Sequence, residues 1–344
     1  MKKYLLPENG KFYKANLHMH STVSDGRITP EQTKVDYMAE GYSIVAFTDH
    51  DVCVAHEDLT DENFIAITSV EFSVGKGDGL PWEYGGCACY HFNFYAKDPK
   101  NVISSVFSER FVNFASAKTY VTDEMRKYDD NRQYSQEYMN DAIRRAKEEG
   151  FLVSYNHPVW SLQRYSDYCD LEGLWGIEIY NTGCMRDGYC DTVQPLDDLL
   201  KAGRQVFPLA TDDSHTLKDR FGGWVMVKAE KLEYTTVMDA LERGDFYAST
   251  GPIIEELFIE DGVLTIVCPN AKEVWLNSPR RYTQRALAQD GESLDVVKFD
   301  INKHLERSQL IREKFDEKPC IRITVKDEKG NCAYTRAYFL EELI

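Results

Sequence analysis

The sequence predicts an α/β chain: a closed or nearly closed β/α barrel followed by a small antiparallel β domain. Two observations predict the barrel. From Lys14 to about Thr250, short apolar runs alternate with helical stretches, and several of those runs are apolar throughout. Parallel strands covered on both faces read that way, whereas a half-solvated sheet would alternate. The second domain is predicted by a change of pattern after Gly251-Pro252, where strands alternate apolar with polar and are joined by tight turns.

In order, the strand candidates are Ala15–Leu17, Ile44–Phe47, Phe64–Thr68, His91–Tyr95, Phe151–Ser154, Ile177–Tyr180 and Val206–Leu209. Between the first two, Thr29-Pro30-Glu31-Gln32 reads as a capping box with proline at the first helical position. Val35, Met38 and Ala39 supply its apolar stripe, and Gly41 closes it. A second helix spans about Ser135 to Glu149, with Gly150 just past its end. Residues 97–133 break the rhythm. They are too long for an ordinary loop and carry Phe107, Phe111, Phe114, Tyr120 and Tyr128, so they are expected to fold as a helical cap. The first domain is thus residues 1–252 and the second 253–344. In the latter, Ile254–Ile259, an Asp261-Gly262 turn and Val263–Val267 form a hairpin. Ile321, Ile323 and Val325 then alternate with polar residues, and Lys329-Gly330-Asn331 turns into Ala333–Phe339.

The chain has 344 residues, 43% of them hydrophobic and 28% charged, which suits a packed fold and argues against disorder. With 57 acidic against 40 basic residues its net charge is −17, and no lysine/arginine run concentrates positive charge. Duplex nucleic acid and anionic membrane are therefore not expected as partners. No apolar run reaches the roughly 18 residues of a membrane span, and Pro7 and Glu8 cut short any signal-peptide core. Nine cysteines, an odd number without a C-x-x-C pair, suit reduced thiols and a cytoplasmic location. Cys87 and Cys89 lie near His91 and could ligate a metal, but buried structural thiols are the expected reading.

Six of the eight histidines fall at or just after a strand candidate. His18-Met19-His20 ends the first strand, with both imidazoles on one side of an extended backbone. Asp25-Gly26 follows in the turn. Thr48-Asp49-His50 ends the second strand, Glu71 the third, and His91 opens the fourth. Asn156-His157-Pro158 ends the fifth and Asp212-Asp213-Ser214-His215 the seventh. In a parallel β/α barrel all carboxyl ends converge on one rim. A lone strand histidine is more often a packed or surface residue than a ligand. Six with three acids at strand ends instead predict a shared metal site, and imidazole plus carboxylate suits zinc, manganese or iron. His56 and His304 fit no pattern and are expected to be ordinary surface residues.

His18-x-His20-Ser21, Asp25-Gly26, the Pro30 helix, Thr48-Asp49-His50-Asp51, Glu71, His91, Asn156-His157-Pro158 and Asp213-x-His215 together resemble the polymerase-and-histidinol-phosphatase (PHP) family over about the first 250 residues. That resemblance implies a distorted seven-stranded (β/α)7 barrel with two to three divalent ions. A first ion would take His18, His20, Glu71 and Asp213. A second would share Glu71 and add His91 and His157; a third would take Asp25, His50 and His215. Asp49, Asp213 and His215 are then the residues expected to serve catalysis, Asp49 by orienting a ligand. Asp212 either helps likewise or caps the following turn. Binuclear amidohydrolases also open with H-x-H, but they generally add a bridging lysine on the fourth strand, and here Lys97 lies past its end.

Three ions bring about six positive charges and three carboxylates cancel about three, which favours a phosphate group and hydrolysis by metal-activated water. The expected function is metal-dependent phosphoesterase acting on a small phosphorylated metabolite or nucleotide. Hydrolysis of a carboxylic ester, carbamate or amide on the same site is the alternative, and a non-catalytic metal-binding module the second. Arg164, Arg186 and Arg220, all in loops expected at the rim, are the candidate phosphate-gripping residues.

Overall fold

The structure, a computed structural model, describes residues 2–77, 87–190, 192–315 and 317–344. Its strands, in chain order, are β1 (Lys3–Tyr4), β2 (Lys11–Asn16), β3 (Tyr42–Phe47), β4 (Ile65–Gly75), β5 (Cys89–Ala96), β6 (Phe151–Tyr155), β7 (Gly176–Asn181), β8 (Phe207–Thr211), β9 (Trp224–Ala229) and β10 (Phe246–Ser249). They continue with β11 (Glu256–Glu260), β12 (Val263–Ala271), β13 (Glu273–Asn277), β14 (Thr283–Leu287), β15 (Leu294–Asp300), β16 (Cys320–Lys326), β17 (Cys332–Thr335) and β18 (Tyr338–Phe339). Among the described residues, one long mixed sheet runs β14-β13-β16-β17-β10-β9-β2-β3-β4-β5-β6-β7-β8, and β18 pairs with β16.

All seven predicted barrel strands are present in it, but the hydrogen-bonded path is that of an open mixed sheet. Between β2 and β8 there is no ladder; their extensions meet in one parallel bridge, Met19 with Ser214, flanked by the Asp213 N–H donating to His18 O at 3.0 Å. The uniform parallel direction also fails at one strand. β2, β3 and β4 run parallel, as do β6, β7 and β8, whereas β5 is antiparallel to both β4 and β6. Keeping β5 parallel to β4 would have required a crossover connection. This reversal puts the amino end of β5 on the rim formed by the other carboxyl ends. It explains why His91 opens its strand when the other histidines follow theirs.

The helix Pro30–Ala39 has its Thr29 cap, whose side chain accepts from the Gln32 N–H at 3.2 Å. Its predicted stripe is overturned: Val35 is 61% and Met38 36% exposed, while Pro30, Thr33 and Tyr37 are buried. The helix docks through Tyr37, whose ring meets Tyr42 and Phe221 edge-on and whose hydroxyl donates to Asp212 Oδ2 at 2.9 Å. The helix Gln136–Glu148, capped by Ser135, buries Met139, Ala142, Ile143 and Ala146 on one face. Burial of Met139 or Ile143 against β5 and β6 stabilises by about 1.5–3 kcal/mol each.

Residues 97–133 contain only single helical turns at Glu109–Phe111, Ala115–Lys118 and Met125–Lys127. They hold together through Phe107, Val112, Ala117, Val121 and Met125, packed on Val23, Val52 and Val54 of the rim loops.

Several elements were not legible, among them β1, β13, β14 and β15. β9 and β10 continue the sheet beyond β2, and the helix Asn302–Phe315 interrupts the C-terminal strands. β17 pairs with β10, and β1 pairs with β11 in a second sheet ordered β1-β11-β12-β15. Leu5, Leu6 and Tyr247 share a core with Ile254, Leu257, Leu264 and Ile323. The expected hairpin is β11–β12; Asp261 and Gly262 at its tip have φ of 50° and 75°, the left-handed pair of a two-residue turn. No helix is long and apolar enough to cross a membrane among the described residues.

Candidate metal centre

The residues after β2 lie extended between two neighbours. Met19 N–H donates to Thr48 Oγ1 at 3.0 Å, Thr48 N–H to Met19 O at 2.8 Å, and His20 N–H to Ser214 O at 3.1 Å. Met19 points into a buried cluster with Tyr37, Val45 and Phe47, so period-two geometry turns His18 and His20 the other way. Their Nε2 atoms are 3.2 Å apart, and Asp213 Oδ1 lies 3.2 Å from the first and 3.1 Å from the second.

Glu71, deep in β4 and buried, is the hub. Its Oε1 is 3.0 Å from His91 Nδ1, 3.3 Å from His18 Nε2 and 3.3 Å from His157 Nε2. Its Oε2 is 3.2 Å from His50 Nδ1 and 3.3 Å from His20 Nε2. Asp25 Oδ2 stands 3.5 Å from His50 Nε2 and 3.4 Å from His215 Nε2. Every residue expected as a metal ligand is therefore in one cluster. Three groups converge most tightly: His20 with Asp25, His50 and His215; His18 with Glu71 and His157; and His18 with His20 and Asp213. His18 and His20 each serve two groups, and His91 approaches through Glu71.

The buried atoms fit metal ions. Bonds of about 2.1 Å set neighbouring donors roughly 3.0–3.4 Å apart around an ion, the spacing seen here. Asp213 Oδ1 is buried with no hydrogen-bond partner, although it faces two imidazoles. Ring nitrogens that face one another cannot all carry hydrogen, so this arrangement suits a shared cation better than mutual hydrogen bonds. His157 (φ 22°) and Asp213 (φ 51°) are both held in the left-handed region, strain that surrounding structure must maintain.

The charges are correspondingly perturbed. Burial alone would push His18 and His20 down. Asp213, Glu178 and Glu71 hold His18 well above the ordinary imidazole range, and Asp213 and Glu71 raise His20 to about 10. Against burial, the surrounding imidazoles hold Glu71 and Asp213 well below the usual carboxylate range. Asp25 is lowered too, against burial, by His215, His20 and His50, whereas burial and His20 lower His50.

Glu178 was missed. It is buried in β7, with Oε1 2.7 Å from His18 Nδ1 and accepting from Thr211 Oγ1 at 2.8 Å, and with Oε2 accepting from the His157 N–H at 2.9 Å. With Nδ1–H donated to Glu178, His18 offers Nε2 to the cluster. Ser161 Oγ at 3.1 Å from Nδ1 does the same for His157, and the Asp213 carbonyl at 3.0 Å from Nδ1 for His215. The signal was a single charge inside the apolar run Ile177–Tyr180. Asn156 Nδ2 also donates to Glu71 Oε1 at 2.9 Å.

Asp49 stands behind the cluster. Oδ1 accepts from the N–H groups of Ser21 and Ser24 at 2.8 and 3.0 Å, and both serine hydroxyls donate to the carboxylate. It shapes the loop that carries Asp25. Gly26 completes that loop: a Cβ there would lie 2.3 Å from His20 O, so no other residue fits. Asp212 turns away from the cluster, accepting from Tyr37, Thr182 and the N–H groups of Phe221 and Gly222.

The arginines do not converge. Arg220 is held by Asp36 at 2.5 Å and is nearly buried, and Arg164 is exposed and pairs with Asp167 at 3.3 Å. Arg186 is exposed at the end of the short helix Thr182–Arg186. His56 and His304 are not surface residues: His56 is buried against Phe47, and His304 is stacked on Tyr282 with burial pushing its pKa down to about 4. Cys87 is exposed and Cys89 half-buried, so neither is a buried structural thiol.

No protein-family model matches this chain, and a search of the curated proteins finds no match. Among solved structures it is similar to a two-domain protein from Bacteroides vulgatus containing a predicted PHP-like metal-dependent phosphoesterase, at 15% identity over 98% of each chain with a TM-score of 0.46. It is also similar to a protein from Bifidobacterium adolescentis assigned as a metal-dependent phosphoesterase, at 16% identity over 69% of this chain and 96% of that one, TM-score 0.40. A third is an amidohydrolase from Chromobacterium violaceum with bound sulfate and no metal, at 14% identity over 67% and 96% of the two chains, TM-score 0.41.

Proposed function

We propose that this chain is a metal-dependent phosphoesterase that hydrolyses a small phosphorylated substrate with two to three divalent ions, zinc, manganese or iron. The observation that carries the proposal is Glu71, one buried carboxylate within 3.3 Å of five imidazole nitrogens. Such a hub has a chemical use as a bridge between cations. The residues that would hold them are His18, His20, Asp213 and Glu71; Glu71 with His91 and His157; and Asp25 with His50 and His215. When bound, the ions would supply Lewis acidity toward the ester and activation of water near neutral pH.

The chain's own residues do the rest. Glu178, Ser161 and the Asp213 carbonyl keep the imidazole lone pairs pointed inward. His215, the half-exposed member of the cluster, turns Nε2 toward Asp25 Oδ2. Three ions carry about six positive charges; Asp25, Glu71, Asp213 and Glu178 cancel about four, and the surplus still favours a dianionic phosphate over a neutral ester. Of the three candidate arginines, only Arg186 shows no ion pair among the described residues. We place the protein in the cytoplasm on its cysteine usage and treat residues 253–344 as a structural unit apart from the chemistry.

The test is one preparation, loaded with manganese, zinc or iron, assayed on p-nitrophenyl phosphate and on p-nitrophenyl acetate. Chelator-sensitive phosphate hydrolysis is expected, and it should vanish in His20→Ala and Asp213→Ala. Metal-dependent acetate turnover with no activity on any phosphoester would replace this reading with a carboxylic-ester or amide hydrolase. Neither activity, with metal bound, would leave a non-catalytic module.

A further inference from the structure

Three contacts from residues 97–133 land on the two loops that carry Asp25 and His50. Arg132 Nη1 donates to Asp51 Oδ1 at 2.5 Å and to Ser73 O at 2.8 Å, and its guanidinium lies 4.2 Å from the ring centres of both Phe72 and Phe111. The pair is out of water: the Arg132 side chain is 1% exposed and that of Asp51 8%. The Phe114 ring stacks on His50, with centroids 6.3 Å and planes 17° apart. Ser116 Oγ donates at 2.8 Å to the carbonyl of Val23, in the loop that leads to Asp25.

Asp51 follows His50 directly and has φ of 61°, in the left-handed region that a residue with a side chain enters at a cost. Its N–H donates to Glu71 O at 3.0 Å. That turn aims His50, whose Nδ1 is 3.2 Å from Glu71 Oε2 and whose Nε2 is 3.5 Å from Asp25 Oδ2. His18 and His157 are fixed instead by Glu178 and Ser161. We propose that Arg132 is a positioning residue: by holding Asp51 in its left-handed turn it aims His50 and completes the group formed with Asp25 and His215. The inserted segment thus builds the outer ion's site, and the strands hold the ions that share Glu71. This rests on the metal reading above. Breaking a buried ion pair from one side leaves the other charge uncompensated. Without Arg132, the Asp51 carboxylate draws its turn toward water and carries His50 away from Glu71 and Asp25.

The test compares manganese binding, by titration calorimetry, to chelator-stripped full-length wild type, Arg132→Met, Arg132→Lys and Arg145→Met. Methionine keeps an apolar stem between Phe72 and Phe111 but gives Asp51 no donor, whereas lysine keeps the charge and its donors. Arg145 ties the same segment to the helix Gln136–Glu148, through Asp130 at 3.0 Å and Ser105 O at 3.1 Å, and so reports loosening of the segment alone. We expect Arg132→Met to bind one ion roughly tenfold or more weakly with the rest unchanged, and Arg132→Lys to recover most of that affinity. Arg145→Met should melt lower and bind every ion as the wild type does. Wild-type binding by Arg132→Met, or an equal loss in Arg145→Met, overturns the proposal. If Arg132→Met is insoluble, Arg132→Gln takes its place against the same outcomes. Crystal structures of the metal-free wild type and variant give a readout that needs no ion. His50 Nδ1 should have left Glu71 Oε2 in the variant, and an imidazole still within hydrogen-bond distance overturns the role of Arg132. If the wild type takes up no manganese, the metal reading falls and that distance alone decides for or against Arg132.

Discussion

Glu178 Oε1 lies 2.7 Å from His18 Nδ1, both residues fully buried, so the ring can present only Nε2 to the cluster. Replacing the carboxylate by an amide keeps the shape but weakens the hold on the Nδ1 proton. Glu178→Gln should therefore lower metal affinity about 10- to 100-fold with little loss of fold. Metal titration of the chelator-stripped variant, with circular dichroism as control, checks this. Wild-type affinity would mean that Glu178 does not set the ring's tautomer.

Glu71 touches five imidazoles, whereas His215 sits at the cluster's outer edge near Asp25 and Asp213. Glu71→Gln should lose more than one metal equivalent together with activity. His215→Ala should lose at most one. Elemental analysis of the two variants decides; equal losses would show that Glu71 is not shared between ions.

Tyr37 O–H is one of several donors to the buried Asp212 carboxylate, whose pKa is raised by burial despite them. Tyr37→Phe removes one donor on the side away from the metals. A cost of about 1–3 kcal/mol in stability is expected, with metal content unchanged. Urea unfolding and elemental analysis together test it; loss of metal in Tyr37→Phe would contradict the separation of Asp212 from the cluster.

Without metal, His18 and His20 hold protons because Asp213 and Glu71, joined at His18 by Glu178, outweigh burial. Their folded pKa values exceed the unfolded value of about 6.5, so this stabilisation is complete below that pH. It is lost as pH rises through the folded values, for His20 about 10. The melting temperature of the chelator-treated protein should thus fall between about pH 6.5 and 10. Manganese replaces those protons, so the loaded protein should fall less, and metal affinity should rise with pH. Parallel melting curves with and without manganese would refute this.

A chain ending at Gly251 would strip β17 from β10, remove the partner of β1 and expose Leu5, Leu6 and Tyr247. It should be insoluble or molten, although every candidate ligand precedes the cut. A soluble, cooperatively melting truncation would show that residues 1–251 fold without the strands of residues 253–344.

How much was legible follows from the range of the forces involved. Strand candidates and ligand candidates could be read directly because each depends on residues adjacent in the chain. Apolar runs mark covered strands, and H-x-H, Thr-Asp-His and Asp-x-His recur at their ends. The cap at Thr29, the helix after Ser135 and the Asp261-Gly262 turn are likewise local, set by a side chain and the backbone a few residues away. Strand direction was decided only by the tertiary structure: β5 has the same composition whether parallel or antiparallel, and its reversal alone explains His91 at its start. So was the buried face of the helix Pro30–Ala39, where Tyr37 and its distant acceptor Asp212 prevail over Val35 and Met38. Glu178 and the arginines teach the same lesson about charge. One buried carboxylate 160 residues from His18 governs that ring, while Arg220 is taken by Asp36 and withdrawn from the site. A charged side chain's role depends on which partner shares its low-dielectric surroundings, and folding, not sequence proximity, chooses that partner.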